Sequence, residues 1–410
     1  MKLALHCGQL IDGTGRPPVP DATILIDDAV IRAAGPRIAV PAGYRELSLP
    51  WATVLPGLID CHVHLITTAG RTLQERLATP YSLAVAEGLK NAEKVLHAGF
   101  TTVRDLSGMP LGGKLALERG LFPGPRILIA VAALSQTAGH GDFTTPSGAS
   151  VTVPDPEHPA TVVDGVDEVR RATRQLLRAG ADVIKMYVSG GVMSDHDQPE
   201  SVGFSPEELR VAVHEAHAAG KRIAAHAISA QGARNAVAAG FDSIEHGMYL
   251  DEEILADMRD RGTYLVPTLL APEWIIRRAE QRPGSVPEHM LAKARRVRAA
   301  HSESFRRAVE SGVRIAFGSD TGVVPHGAAG EELSLMTRCG MSPLATIVAA
   351  TRTAADLAGV SGLTGTVEEG KRADLLVADG DPLADIGLLA DPARIRVVVK
   401  DGNVMKGSLS

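Results

Sequence analysis

Residues Leu55–Leu65 read LPGLIDCHVHL, an apolar run that ends in two histidines one residue apart. Val54, Leu55, Leu58 and Ile59 lead into His62 and His64. In an extended strand alternate side chains share a face, so both imidazoles would project the same way. Histidine is the commonest metal ligand. Two imidazoles converging on one point suggest a metal, and the alternative is a polar pair at a strand end. A lone motif does not decide between them.

Outward from this stretch, residues 54–360 alternate short apolar runs with helical segments, the pattern of parallel β/α architecture. Strands are expected at Thr53–His62, Thr101–Asp105, Arg126–Ala130, Asp182–Tyr187, Arg222–His226, Ser243–His246, Tyr264–Pro267 and Arg314–Ser319. Helices are expected at Ser82–Ala98, Val166–Ala179, Pro206–Ala219 and His289–Ser311. Eight such units predict an α/β fold, a closed (β/α)8 TIM barrel with its site at the C-terminal strand ends. Two inserts, Ser135–Asp164 and Ser189–Ser205, leave strand ends and are the expected substrate-binding loops. Strand-like segments at both termini, with a hairpin signal at Lys400-Asp401-Gly402-Asn403, predict one small β domain built from both ends. The expected boundaries are 1–53 and 362–410 for that domain and 54–361 for the barrel.

Composition narrows the function. The 410 residues carry a net charge of −6, which supplies no footprint for nucleic acid or an anionic membrane. Aromatics are 3% of the chain and glycines number 42, so the core should be aliphatic with many tight loops. Cys7, Cys61 and Cys339 are an odd, widely spaced set that predicts no disulfide framework and a reducing compartment. Neither a signal-peptide apolar segment nor a membrane-length apolar run is present in the 410 residues, so the cytoplasm is the expected location.

The strand ends hold the chemistry. The first carries His62 and His64, the fourth Lys185, the fifth His226, the sixth His246 and the eighth Asp320. Four histidines, a lysine and an aspartate would meet at one mouth. This set resembles the binuclear-metal amidohydrolase superfamily, over essentially the whole chain. The resemblance implies a barrel flanked by a β-sandwich of both termini. It implies that His62 and His64 bind one metal with Asp320, that His226 and His246 bind a second, and that carboxylated Lys185 bridges them. Asp320 would take a proton from a metal-bridging hydroxide. The chemistry agrees: a free ammonium beside two cations would be repelled, whereas a carbamate is an anionic oxygen ligand. Two cations lower the pKa of bound water and clamp a scissile carbonyl, and a nearby carboxylate can shuttle the proton to a leaving amine. Zinc is the expected ion for such donors, with manganese and cobalt as alternatives.

The segments Gln136–Asp142 and Lys185–Ser194, with EHG at His246 and GSDTG at Asp320, resemble the branch of prolidase-like and Xaa-Arg or Xaa-Lys metallodipeptidases and ochratoxin-type amidohydrolases. His140 would then meet the substrate carbonyl as it becomes an oxyanion; the alternative is a loop-bracing histidine beside Asp142. Tyr187, two residues beyond Lys185 and so on the same strand face, is a candidate substrate contact or a barrel-filling aromatic. Relatives often read Gly-Gly-His-Gly where this chain has Ala138-Gly139-His140-Gly141, and Gln where it has Gly203 before Phe204-Ser205, so substrate choice cannot be copied from one of them. Asp195, Asp197 and Glu200 could receive a cationic side chain or form a solvated loop. His196 and His326 are further candidates for touching substrate, His158, His289 and His301 are expected to be exposed, and Cys61 is expected to be a packed thiol.

The expected activity is metal-dependent hydrolysis of an amide bond in a dipeptide or N-acyl amino acid, by a homo-oligomer. A lactonase or phosphotriester hydrolase on the same centre is the nearest alternative. A non-catalytic assembly protein is the alternative of another class, which the intact ligand set argues against.

Overall fold

The computed structural model describes residues 2–145, 147–150 and 157–408, and part of the insert Ser135–Asp164 lies outside the described residues. The N-terminal strands are β1 (Lys2–Leu10), β2 (Val19–Asp27), β3 (Val30–Pro36) and β4 (Arg45–Pro56). The middle holds β5 (Leu58–Val63), β6 (Phe100–Asp105), β7 (Arg126–Ile129), β8 (Ala133–Leu134), β9 (Val183–Tyr187), β10 (Arg222–Ala227), β11 (Ser243–His246) and β12 (Tyr264–Val266). The last strands are β13 (Leu375–Asp379), β14 (Ile395–Lys400) and β15 (Asn403–Lys406).

Both ends of the chain build one seven-stranded sheet, ordered β15-β14-β13-β4-β1-β2-β3. Its strands are two-faced because side chains alternate. In β13, Leu375 and Val377 pack into the sheet's own core with Leu5, Ile24 and Ile26, whereas Leu376 and Ala378 join the core of the middle segment. The predicted hairpin is present: Lys400 pairs with Asn403 across Asp401 (φ 49°) and Gly402 (φ 75°), the left-handed pair that a two-residue turn requires.

The middle strands are parallel, in two ladders ordered β5-β6-β7 and β12-β11-β10-β9-β8. Residues 314–321 join them on one side: Ala316 N donates to Leu265 O, Cys61 N to Phe317 O, and His64 N to Thr321 O (2.7 Å). On the other side Asp182 N donates to Ile129 O at 2.7 Å. The expected helices are present, as at Pro206–Ala218, where Ser205 and Glu208 form a capping box ahead of an apolar face of Leu209, Ala212 and Ala216. Among the described residues no helix is long and apolar enough to cross a membrane.

Three sequence expectations need correction. The first strand, expected to be continuous over Thr53–His62, breaks at Gly57. Residues to Pro56 pair with β13 in the terminal sheet and residues from Leu58 pair with β6. A Cβ at Gly57 would lie 2.2 Å from Thr101 Oγ1, so this crossing between sheets admits only glycine. The third strand ends at Ile129 and resumes as β8 after Val131, whose φ of 64° turns the chain. The eighth, Arg314–Ser319, holds an isolated bridge at Ile315, with another at Thr321 just beyond it, in place of a continuous strand. Gly318 fits closely here: a Cβ would lie 2.3 Å from Val266 Cγ1 and 2.9 Å from His62 Cβ.

Gly57→Ala should therefore destabilise the protein by about 1–3 kcal/mol, the usual cost of overpacking, measured as a lower urea midpoint with an unchanged slope.

Candidate metal centre

All six predicted residues line one cavity of about 650 Å³. The strand directions place them there, as each lies at the C-terminal end of a middle strand or in the turn that follows. His62 and His64 flank the last residue of β5, Lys185 lies in β9, His226 in β10 and His246 closes β11. The ring centroids of His62 are 5.3 Å from His64 and 5.0 Å from His246, and His226 lies 4.6 Å from His246. Asp320 Oδ1 is 3.4 Å from His64 Nε2 and 3.6 Å from His62 Nε2. Potential ligand atoms of His62, His246 and Asp320 all fall within 4.8 Å of one another.

Each imidazole is oriented by its outward nitrogen. His62 Nδ1 meets Glu245 Oε2 at 2.8 Å, His64 Nδ1 meets Ser107 O at 3.3 Å, and His246 Nδ1 meets Thr268 Oγ1 at 2.6 Å. His226 is turned the other way, with Nε2 on Gly190 O at 3.1 Å. One nitrogen of each ring thus remains for the cavity. Burial drives the imidazoles of His62, His226 and His246 well below their usual pKa, which keeps them neutral. Burial alone would raise Asp320, but the hydrogen bond with His64 and the positive groups around it hold it below the usual carboxylate value. Lys185 is 1% exposed and burial pushes it down to about 8. Its amine has no hydrogen-bonding or ion-pairing partner among the described residues. Three neutral imidazoles with a free nitrogen, His64 held by Asp320, an ionised carboxylate and an amine unpartnered among the described residues make a donor set that fits divalent metal.

Backbone strain contributes to this placement. His246 (φ 70°) and Asp320 (φ 58°) both sit in the left-handed region, a conformation disfavoured for side chains of this size. Flanking bonds hold it, with Gly247 N donating to Ala227 O (3.1 Å) and Asp320 N to His62 O (2.9 Å).

His140 enters from the loop after β8. Its ring stacks on His226 at 4.5 Å and meets the edge of Tyr187 at 5.3 Å. The acid beside it is Asp197, at 3.2 Å from Nδ1; Asp142 instead accepts backbone N–H groups from Ala138 and Thr144. A Cβ at Gly191 would lie 2.0 Å from the His140 ring. Tyr187 lines the cavity, where burial raises its phenol to about 12.

Other expectations change. Asp195 pairs with His289 at 2.8 Å and Glu200 with Arg296 at 2.9 Å; none of Asp195, Asp197 and Glu200 lines the cavity. His196 and His326 hydrogen-bond the carbonyls of Gly139 and His64 and lie outside it. His301, expected at the surface, is 1% exposed, with Nε2 at 3.0 Å from His246 O and 2.8 Å from Pro267 O. Its position on an amphipathic helix concealed this. His158 lines the cavity, edge-on to Tyr81 at 5.6 Å. Cys61 is buried with Sγ directed at Ala354 O.

The sequence reading missed a buried relay behind the histidines. Glu245, fully buried, holds His62 with one oxygen and Arg104 with the other at 2.8 Å. Arg104 also donates to Cys61 O (2.6 Å) and Ser243 Oγ (3.2 Å). The signal was present: Arg104 and Glu245 are charges within short strands that are fully buried. Glu245→Ala should cost about 3–5 kcal/mol in urea unfolding, because it leaves the Arg104 guanidinium buried without its carboxylate.

Residues 53–405 match the amidohydrolase family model. The ochratoxinase of Aspergillus niger is 36% identical, covering 98% of this chain and 86% of that protein. The crystal structure of a Xaa-Pro dipeptidase with bound methionine in its active site superposes with a TM-score of 0.91 at 35% identity, covering 99% of this chain and 100% of that one. A prolidase complexed with N-methylphosphonate-L-proline superposes with a TM-score of 0.91 at 33% identity, over the full length of both chains. The resemblance carried by the six residues is thereby borne out: the chain belongs to the amidohydrolase family and is a hydrolase.

Proposed function

We propose that this protein hydrolyses the amide bond of a dipeptide or N-acyl amino acid at a centre of two divalent metal ions, zinc being the expected ion. The observation that carries the reading is the convergence of His62, His64, Lys185, His226, His246 and Asp320 on one cavity. The similarity to a Xaa-Pro dipeptidase, whose name gives a peptide bond as its target, supports the same bond type. In this reading 54–361 close as a (β/α)8 barrel, supported by the bonds from residues 314–321 to both ladders. Residues 1–53 and 362–410 form the β-sandwich, and the protein works as a cytoplasmic homo-oligomer.

His62, His64 and Asp320 would hold one ion and His226 and His246 the other. Lys185, carboxylated on Nζ, would add an anionic oxygen donor between them. When bound, the ions supply Lewis acidity toward water and the scissile carbonyl. The side chains do the rest. Asp320, kept ionised, takes a proton from the attacking water and returns it to the departing nitrogen. His140, with protons on both ring nitrogens, would donate Nδ1–H to Asp197 and Nε2–H to the carbonyl oxygen as negative charge develops on it. Tyr187 forms the wall beside both.

A panel of dipeptides, N-acyl amino acids, lactones and organophosphates tests the reaction. Amides should be turned over by the zinc-loaded protein, and dialysis against a chelator should abolish turnover. Ester turnover without amide turnover would overturn the reading. Lys185→Ala should lower metal content from two equivalents to one or fewer by elemental analysis, and an unchanged content of two would exclude the carbamate bridge.

A further inference from the structure

The outer wall of the cavity is cationic. Among the described lining residues Asp320 is the one carboxylate, whereas Arg71, Arg76 and Arg278 all contribute. Arg71 is satisfied by a two-point pair with Glu87 at 2.9 and 3.0 Å. Arg278 donates to Gly70 O at 3.0 Å and lies 5.4 Å from the Trp274 ring. Arg76 is different. Its guanidinium sits 4.7 Å over the Phe143 ring and interacts electrostatically with the Tyr187 phenol, but it has no carboxylate or carbonyl acceptor among the described residues. Burial lowers its pKa, as expected of a charge withdrawn from water with no opposite charge beside it among the described residues.

We propose that Arg76 receives the free carboxylate of the substrate, so that the amides cleaved are those of amino acids with an ionised α-carboxylate. This rests on the hydrolytic reading above and specifies the substrate class of that site. Arg76 and Tyr187 line the same cavity and interact electrostatically, and Tyr187 lies edge-on to His140 and His226 at 5.3 Å each. A carboxylate on the guanidinium would therefore sit in the same cavity as His140 and Asp320, with the amide directed from Arg76 along Tyr187 toward them. Arginine suits this role because its planar fork matches a carboxylate at two points. The remaining wall, with Val192, Ile228, Met248 and Ile275, is apolar. It suits an uncharged side chain, in keeping with the engagement of Asp195, Asp197 and Glu200 elsewhere.

The test compares zinc-loaded wild type, Arg76→Met and Arg76→Lys in two assays. One is acetate release from N-acetyl-L-phenylalanine and from its C-terminal amide. The other is calorimetric binding of 3-phenylpropanoate and 3-phenylpropanamide. A hydrogen-bonded charge pair corresponds to a factor of roughly 10 to 100. Wild type should prefer the acid by that factor in both assays, Arg76→Met should bring the acid-to-amide ratio close to one, and Arg76→Lys should keep part of it. An unchanged ratio in Arg76→Met would overturn the proposal, because the carboxylate would then be bound elsewhere in the cavity. An Arg76-dependent preference in binding, with no amide turnover by any variant, would support the anion site and overturn the hydrolytic reading. Turnover with a ratio indifferent to Arg76 would do the reverse.

Discussion

Behind the histidines lies a buried carboxylate that is shared between two strands and a guanidinium. Glu245 is fully enclosed, as is Arg104, and isolated charges in such surroundings would cost many kcal/mol. Together they are tolerable, because Arg104 spends its donors on Glu245, Ser243 Oγ and Cys61 O, while Glu245 spends its second oxygen on His62. The pair thereby fixes which nitrogen of His62 faces the cavity. It also ties β6, β11 and the end of β5 at one depth. The centre depends on this chain of contacts, since His62 rotated by half a turn would present the wrong atom.

Three further buried acids act on backbone. Asp60 accepts from His62 N and Ser319 N, Asp105 from Leu65 N, and Glu332 from Leu269 N and Leu270 N. Burial pushes them up to about 7, 6 and 8 respectively. Each meets a loop that leaves a strand end, where backbone N–H groups lack ladder partners. Acids here replace the missing sheet bonds. The same economy explains His301, which reaches from a distant helix to the carbonyls of His246 and Pro267 and so supports a residue held at positive φ.

The cavity joins two chemistries. Its floor is a ring of imidazoles with one carboxylate, suited to cations, and its outer wall carries guanidinium groups suited to an anion. Tyr187, His140 and Phe143 line the same cavity, with Phe143 beneath Arg76 and His140 stacked on His226. An N-acyl amino acid has a matching distribution, with a polarisable carbonyl at one point and a carboxylate a short distance away.

Much of this was legible in the sequence. The eight apolar runs, their spacing and the helices between them follow from local periodicity, which depends on residues close together in the chain. The six residues of the centre could be named because parallel strands bring their C-terminal ends to one side wherever the loops go. Tertiary structure decided the rest. The break at Gly57, the left-handed backbone at His246 and Asp320, and the loss of a regular eighth strand all arise from close approach of segments far apart in sequence. Asp197 rather than Asp142 beside His140, Glu245 behind His62 and Phe143 beneath Arg76 are long-range pairings. No periodicity encodes them, because a charge reads the same in sequence whether water, a buried partner or a substrate will neutralise it.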